Sequence, residues 1–83
     1  MSRKIKPVHP GGILRDEFME PTGISQYRIA QATGLSRVQI GDIVGEKCGI
    51  TAETALRLEL ALGMSAQTWI NLQALYEHEK ASA

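Results

Sequence analysis

Apolar residues recur every three or four positions through most of the chain, and this pattern predicts five helices. Each predicted start carries a residue typical of a helix N-terminus, namely Pro10, Ser25, Ser36, Thr51 and Ser65. The first helix should end before Pro21, because proline disfavours helical geometry at the residue before it. The fourth should end at Gly63 and the fifth near Glu79. The chain is therefore expected to be all-α.

The second and third helices are separated by a tight turn at Gly34, and their apolar residues face each other across it. Ala30 is small enough for the two backbones to approach, and Gly34 can adopt a left-handed turn conformation. Ser36 and Gln39 form an S-x-x-Q capping box that fixes the start of the third helix. The inward positions are Ile29, Ala30, Leu35, Ile40 and Ile43. The pair predicts a DNA-binding helix-turn-helix, with an ordinary helical hairpin as the alternative.

The third helix leaves a polar face opposite its buried residues. Arg37 can pair bidentately with guanine and Gln39 with adenine, while Val38 can contact a thymine methyl group. Asp42 repels phosphate, so it fits only opposite a cytosine amino group or beside a cation of the protein. Phosphate contacts are expected from Gln26, from Lys47 and from the amides near Ser36. The alternative is a solvated helix face. The predicted DNA-binding residues are Gln26, Ser36, Arg37, Val38, Gln39, Asp42 and Lys47.

The fourth and fifth helices carry more apolar surface than a small domain needs. In the fourth helix, one stripe contains Ala55, Leu58 and Leu62, and a second contains Leu56 and Leu60. One stripe suffices for a surface helix, so the second predicts a partner. In the fifth helix an aromatic and apolar face adds to this surface, although Trp69 by itself is best explained as core. The predicted homodimer interface is Leu56, Leu60, Trp69, Leu72 and Tyr76.

Glu59 projects between the two stripes of the fourth helix. It is expected either to meet a cationic or hydrogen-bonding neighbour, such as an arginine, or to lie solvated at a rim.

Length and charge bound these interpretations. The 83 residues suffice for one small domain, predicted at 9–80 between a flexible basic segment, 1–8, and a flexible C-terminus, 81–83. The net charge of zero weakens a nucleic-acid interpretation, because DNA affinity depends on cations. The charge is uneven, however, since seven of the nine basic residues occur by Lys47, against five acidic ones. Modest affinity per subunit and a need for dimerisation are expected.

Nothing in the chain suggests an enzyme, a cofactor or a metal site. It has no glycine-rich phosphate loop and no metal-ligand spacing, and its single cysteine, Cys48, does not pair with either histidine. His9 precedes Pro10 and is interpreted as a cap of the first helix. No apolar run is long enough for a membrane span, and a reduced, cytoplasmic location is expected.

Four segments of the chain resemble the HigA family of antitoxins, part of the XRE (Cro/cI-like) helix-turn-helix class. They are His9-Pro-Gly-Gly-Ile-Leu14, the helix-turn-helix, Gly49-Ile-Thr-Ala-Glu-Thr-Ala-Leu-Arg-Leu58 and Trp69-Ile-Asn-Leu-Gln73. The resemblance covers about residues 5–78. It implies a five-helix, lambda-repressor-like domain, usually a homodimer through its C-terminal helices. It also implies binding to double-stranded operator DNA, repression of its own operon, and neutralisation of a HigB/RelE-like mRNA-cleaving toxin.

The chain departs from the family pattern at Gly12, Gly41, Glu46 and Cys48, which puts the strength and target of DNA binding in question. A regulator without a toxin is one alternative, and a protein-binding module that has lost its operator is another. With almost no disordered tail, the toxin contact is expected on a folded surface, formed by the first helix and the basic N-terminal strip.

Overall fold

The computed structural model describes residues 8–82, and within that range five helices account for all regular structure. The first, α1, consists of three consecutive helical stretches, Pro10–Ile13, Leu14–Met19 and Glu20–Thr22. The others are α2 (Gln26–Thr33), α3 (Arg37–Val44), α4 (Ala52–Leu62) and α5 (Ala66–Ser82). The predicted all-α, five-helix fold is confirmed. Most of the predicted flexible N-terminal segment, and Ala83, lie outside the described residues.

Two predicted helix ends differ from the structure. The first helix does not stop before Pro21 but continues to Thr22. Its middle stretch has π-type hydrogen bonding, and the Glu20 N–H donates to the Arg15 carbonyl, five residues back. The Thr22 hydroxyl donates to the Phe18 carbonyl, so hydrogen bonding continues past the proline, which lacks an N–H. The predicted end before Pro21 is wrong because the wider π-type turn and the Thr22 hydrogen bond accommodate the proline ring within the helix.

The C-terminal end also differs. Helix α5 continues to Ser82, three residues beyond the predicted end at Glu79. The Ser82 hydroxyl donates to the His78 carbonyl one turn earlier. Residues 81 and 82 of the predicted flexible C-terminus are therefore helical.

The predicted helix starts are confirmed by hydrogen bonds between cap side chains and first-turn amides. The Ser25 hydroxyl accepts from the Arg28 amide at 3.2 Å, and the Thr51 hydroxyl accepts from the Thr54 amide at the same distance. Equivalent bonds are made by Ser36 and Ser65. Gly34, predicted to adopt a left-handed conformation, ends α2 with φ 79°. Gly63, the predicted end of the fourth helix, ends α4 with φ 91°.

A second cap at the start of α5 involves Glu59. Its carboxylate accepts from the Ala66 amide at 2.8 Å, which joins the last turn of α4 to the first turn of α5. The hydrogen-bonding alternative for Glu59 is confirmed, but the partner is a backbone N–H rather than an arginine. A negative charge at a helix N-terminus is also electrostatically favourable.

The core lies where all five helices, α1 to α5, meet. Its completely buried apolar side chains are Leu14, Ile29, Ile40, Ile43, Ala55, Leu58 and Trp69. The Trp69 ring lies 5.7 Å from the Phe18 ring, between centroids, and its indole N–H has no hydrogen-bond partner within the described residues. Because this side chain has no exposed surface, the prediction that Trp69 contributes to a dimer interface is wrong. The alternative, that it is core, is confirmed.

Candidate nucleic-acid interface

The helix-turn-helix is formed by α2 and α3, and the predicted inward residues are buried except Leu35, which is half-buried. Ile40 and Ile43 are completely buried, and Val44 is buried as well, so α3 packs with one face against the core. Ile29 and Ala30 provide the opposing surface of α2. The opposite face of α3 is left outward, which is the arrangement by which such a helix enters a major groove.

The N-terminus of α3 is capped by Ser36. Its hydroxyl accepts from the Gln39 amide at 3.0 Å, which forms one half of the predicted capping box. The side chain of Gln39 is exposed to solvent. The remaining amides of this first turn have no intrahelical acceptor, so this end of α3 can bind an anion such as a phosphate.

The outward residues of α3 divide by exposure. Arg37, Val38 and Gln39 are exposed, Val38 by 74%, while Gly41 and Asp42 are half-buried. A valine this exposed can bury its side chain only against a partner, and the methyl group of a thymine is a suitable contact. The three residues at the start of α3 are therefore more accessible than Gly41 and Asp42 in its middle.

Gln26, at the start of α2, lies beside α3 as expected. Its side-chain carbonyl oxygen would be 3.3 Å from a Cβ placed at Gly41. Gly41 thus lets the first residue of α2 approach the middle of the recognition helix. Lys47 lies just beyond the C-terminal end of α3. Its amide donates to the Asp42 carbonyl at 2.8 Å, and its side chain lies over Gly45. The predicted phosphate contacts therefore lie beside the middle of α3, at Gln26, and beyond its C-terminal end, at Lys47.

Arg37 lies beside an aromatic residue, Tyr27, that no sequence pattern indicated. Its guanidinium carbon lies 5.7 Å from the centroid of the Tyr27 ring, within the range of a cation–π contact. The Tyr27 hydroxyl accepts from the Gln31 side chain at 3.0 Å, one turn further along α2. Tyr27 is half exposed, so its apolar spacing gave no reason to select it.

Two further arginines, also missed, fasten the helix-turn-helix to the rest of the fold. Arg57 of α4 donates to the Thr33 carbonyl at 3.0 Å, at the end of α2. Arg15 of α1 donates to the Val44 carbonyl at 3.0 Å, at the end of α3. Cations are favourable at helix C-termini, where carbonyls lack intrahelical donors. A basic residue on a partner helix is the only sequence pattern that could have pointed to either contact.

The ion pairs also decide which cations remain for DNA. Among residues 8–82, Arg15 forms ion pairs with Asp16 and Glu46, and Arg57 forms one with Glu53; no other ion pair occurs in this range. The hydrogen bond and the charge of Asp16 raise the pKa of Arg15. Within the described residues, the remaining cations of the N-terminal half are Arg28, Arg37 and Lys47.

Asp42 is not part of any ion pair within residues 8–82, so the expected alternative of a cation of the protein is not met there. Its charge acts on Cys48 instead: burial, and secondarily Asp42, raise the pKa of this half-buried thiol. The other predicted role of Asp42, opposite a cytosine amino group, stays a prediction.

The loop between α3 and α4 explains two of the sequence motifs. The Ile50 amide donates to the Gln73 side chain of α5 at 2.8 Å. A Cβ at Gly49 would lie 2.9 Å from the same amide group. The Gly-Ile-Thr and Trp-Ile-Asn-Leu-Gln segments therefore meet in space and hold the end of the recognition unit against α5.

His9 is the predicted cap of α1, and this role is confirmed. Its Nδ1 accepts from the Gly11 amide at 2.8 Å, and its ring packs edge-on against Tyr76, with centroids 4.8 Å apart. Burial lowers the pKa of His9, and Lys80 acts in the same direction, while Glu46 and a hydrogen bond with the Cys48 backbone oppose the shift.

The remaining predicted dimer residues differ in exposure. Leu56 is 56% exposed and Leu60 is 86% exposed, whereas Leu72 and Tyr76 are half-buried. Leu75, another apolar residue of α5, is 52% exposed. Apolar surface on both C-terminal helices is therefore left uncovered in the monomer.

No group of three potential metal ligands occurs among residues 8–82. Over the same range, none of the helices combines the length and apolarity that crossing a membrane requires.

Comparisons with known proteins agree with this architecture, although no protein-family model matches the chain. Virulence-associated protein I of Dichelobacter nodosus is 46% identical over 74 residues, or 89% of this chain and 68% of that protein. Pseudomonas aeruginosa antitoxin HigA, solved with the higBA promoter, is 45% identical with a TM-score of 0.86, covering 90% and 82%. Antitoxin GraA, solved with its operator, is 34% identical with a TM-score of 0.86, covering 98% and 82%.

The arrangement is that of an XRE-like helix-turn-helix protein with a lambda-repressor-like core. Within this class, the chain belongs to the HigA family of antitoxins. The resemblance predicted from the sequence is thereby confirmed. Its relatives are antitoxins and transcriptional regulators, so the prediction of a non-enzymatic protein is confirmed as well.

Proposed function

We propose that the protein is an antitoxin that represses its own operon by binding operator DNA as a homodimer, and that it neutralises a HigB/RelE-like toxin. The observation that carries the DNA part is the exposed, capped start of α3. Arg37, Val38 and Gln39 all point away from a core that fixes the other face of the same helix. The solved HigA and GraA relatives, described with promoter or operator DNA, support this use of the surface.

The proposed contacts separate into two kinds. Arg37, Gln39 and Val38 would contact base edges, and Asp42 would accept from a cytosine amino group. The amides near Ser36 and Lys47 would contact phosphates at the two ends of α3, and Gln26 would contact a phosphate beside its middle. Phosphate contacts position the protein without selecting sequence, so the preference for an operator would come from the first set.

Dimerisation is the second part of the proposal, and it follows from size and exposed surface. A single small module contacts too little DNA for tight specific binding, and a two-fold operator doubles the contacts. Leu56 and Leu60 provide exposed apolar surface on α4, and Leu72 and Tyr76 are half-buried on α5. A stable interface needs roughly 800 Å² per partner, so polar neighbours of these side chains would be buried too.

Dimerisation is tested by Leu60→Glu, measured by sedimentation velocity. The leucine is exposed in the monomer, so the variant should fold normally and sediment as a monomer at concentrations where the wild type is a dimer. Gln67→Glu, at another exposed helical position, is the matched control and should remain a dimer. A wild-type protein that is monomeric at tens of micromolar would contradict the proposal.

The toxin partner is proposed from membership of the family. Helix α1 and the basic segment that precedes it are the proposed contact surface, with Asp16 and Glu17 exposed on the helix. Copurification of the protein with the product of the adjacent gene tests the pairing. Deleting residues 2–8 should weaken it. Unchanged toxin binding after this deletion would remove the basic segment from the surface, and no adjacent toxin would favour a regulator that acts alone.

Operator binding is tested by titration against the DNA upstream of the protein's own gene at two salt concentrations. Arg37→Ala should weaken specific binding by about 1–3 kcal/mol, or roughly 5- to 150-fold, because a bidentate base contact is lost. Lys80→Ala removes an exposed cation at the far end of α5 and is the matched control. Unchanged affinity of Arg37→Ala would contradict the assignment.

Operator binding also implies action in the cytoplasm, where the genome lies.

A further inference from the structure

We infer that Tyr27 is a positioning residue for base recognition, because it holds the Arg37 guanidinium in the orientation that reads a base pair. This inference rests on the proposed operator binding. The guanidinium carbon lies 5.7 Å from the centre of the Tyr27 ring. The two residues belong to different helices of the helix-turn-helix, so the contact crosses from α2 to α3.

The contact leaves the recognition chemistry of Arg37 available. A cation–π contact at this distance does not require the N–H edge of the guanidinium, which bidentate pairing with guanine uses. Arg37 makes no ion pair with a carboxylate among residues 8–82 that would occupy this edge. Its side chain can therefore be held and remain able to pair.

The ring that holds Arg37 is itself fixed. The Gln31 side chain donates to the Tyr27 hydroxyl at 3.0 Å, and both residues lie on α2 one turn apart. The end of that helix is fastened by Arg57, which donates to the Thr33 carbonyl. Gly34 then turns directly into the Ser36 cap of α3. A rigid frame thus connects the ring to the backbone that carries Arg37.

Holding the side chain matters because arginine has many rotamers. A free arginine loses conformational entropy when it pairs with a base, and a cation–π contact with Tyr27 that exists before binding reduces this loss. The benefit belongs only to the base pair that Arg37 contacts. The expected consequence of losing the ring is weaker discrimination at one operator position, with phosphate-mediated affinity for unrelated DNA unchanged.

The test compares affinities for the operator and for single-base-pair variants of it. The position read by Arg37 is first found as the one where Arg37→Ala abolishes discrimination. At this position Tyr27→Leu should reduce discrimination roughly two- to fivefold, the range of an exposed cation–π contact. Discrimination elsewhere and the dependence of binding on salt should match the wild type. Tyr27→Leu should also have no effect when added to Arg37→Ala.

Two conservative variants separate positioning from other roles. Tyr27→Phe keeps the ring and should restore most of the discrimination, and Gln31→Ala removes only the bond to the hydroxyl and should have a small effect. Thermal unfolding of every variant checks the fold, which should survive because Tyr27 is half exposed. Rescue by phenylalanine is not expected if the tyrosine hydroxyl contacts phosphate, and a uniform loss across all sequences in Tyr27→Phe would overturn the inference.

The outcomes also distinguish the inference from the function on which it rests. If the wild type shows no specific, salt-dependent binding to its upstream DNA, the proposed operator function fails. If the wild type binds and Arg37 reads a base pair, but Tyr27→Leu discriminates like the wild type, only the role of Tyr27 fails. Additive effects of Tyr27→Leu and Arg37→Ala would likewise overturn it.

Discussion

Gly11 packs against the carbonyl group of Ile43 so closely that a Cβ at position 11 would lie 1.7 Å from the carbonyl oxygen. Gly11 belongs to the His9-Pro-Gly segment that starts α1, and Ile43 is a buried residue of α3, the recognition helix. The contact therefore brings the start of α1 directly onto the backbone of α3. A motif far from the proposed DNA contacts thereby sets where the recognition helix lies.

Gly11→Ala is expected to destabilise the fold by about 3 kcal/mol, because the obstacle is backbone and cannot rotate away. Gly12→Ala is the matched control. There a Cβ would approach only the ends of the Glu46 and Arg15 side chains, at 3.3 and 3.4 Å, which can move. Urea unfolding checks both variants. Equal stabilities of the two would contradict the packing argument.

His9 is expected to make stability depend on pH. The lowered pKa means that the folded protein favours the neutral ring, whose Nδ1 accepts from the Gly11 amide. The unfolded chain binds the proton more readily, so this contribution is complete above about pH 6.5 and is lost as the pH falls through the folded pKa. The free energy of unfolding in urea should therefore decrease between pH 7.5 and pH 5.5.

His9→Asn should remove this part of the pH dependence, since asparagine can cap the helix but does not titrate. Its stability at neutral pH should be lower by about 1–3 kcal/mol, because the packing of the ring against Tyr76 is lost. His78→Asn, at an exposed position of α5, should keep the wild-type slope. The same slope in His9→Asn and the wild type would show that His9 is not responsible.

Arg57→Ala should loosen the turn of the helix-turn-helix. The arginine donates to the Thr33 carbonyl at the end of α2, so its loss leaves this carbonyl without its side-chain donor. We expect a destabilisation of about 1 kcal/mol and faster amide hydrogen exchange at residues 33–36. Glu53→Gln removes only the exposed ion pair and should cost less than about 0.5 kcal/mol. Protection at the turn that is unaffected in Arg57→Ala would argue against the fastening role.

Gln73→Leu tests the contact that holds the α3–α4 loop. Ile50 is a buried residue whose amide donates to the side-chain oxygen of Gln73 in a part-buried hydrogen bond, so the variant leaves this donor without its acceptor. The expected cost is about 1–3 kcal/mol in thermal or urea unfolding. Gln67→Leu, which breaks an exposed bond to Asn71 on the same helix, is the control and should be nearly neutral. A similar effect of both substitutions would contradict the argument.

The sequence predicted those features that depend on local chemistry. A cap joins a hydroxyl to an amide three residues later, so Ser25, Ser36 and Thr51 could be identified without knowing the fold. The buried face of α3 was likewise predictable, because a helix repeats its faces every 3.6 residues. The family segments then identified the fold as a whole.

The features that could not be predicted depend on distant contacts. Arg15 and Arg57 bond to carbonyls 29 and 24 residues away, and no spacing along the chain indicates such pairs. The apolar stripe that contains Trp69 is compatible with a core or a partner interface, and spacing along the chain does not distinguish the two. The exposed Tyr27 has no periodic pattern to mark it, and only its position across the turn from Arg37 reveals a role.

The burial of Trp69 makes the protein its own optical reporter. It is the single tryptophan of the chain, and its ring is shielded from water beside Phe18, so all indole emission comes from one site in the core. Unfolding should shift this emission to longer wavelength as the indole meets solvent. The indole lies away from the exposed face of α3, so the same spectrum should stay unchanged when DNA occupies that face, and folding and binding can be followed separately without a label.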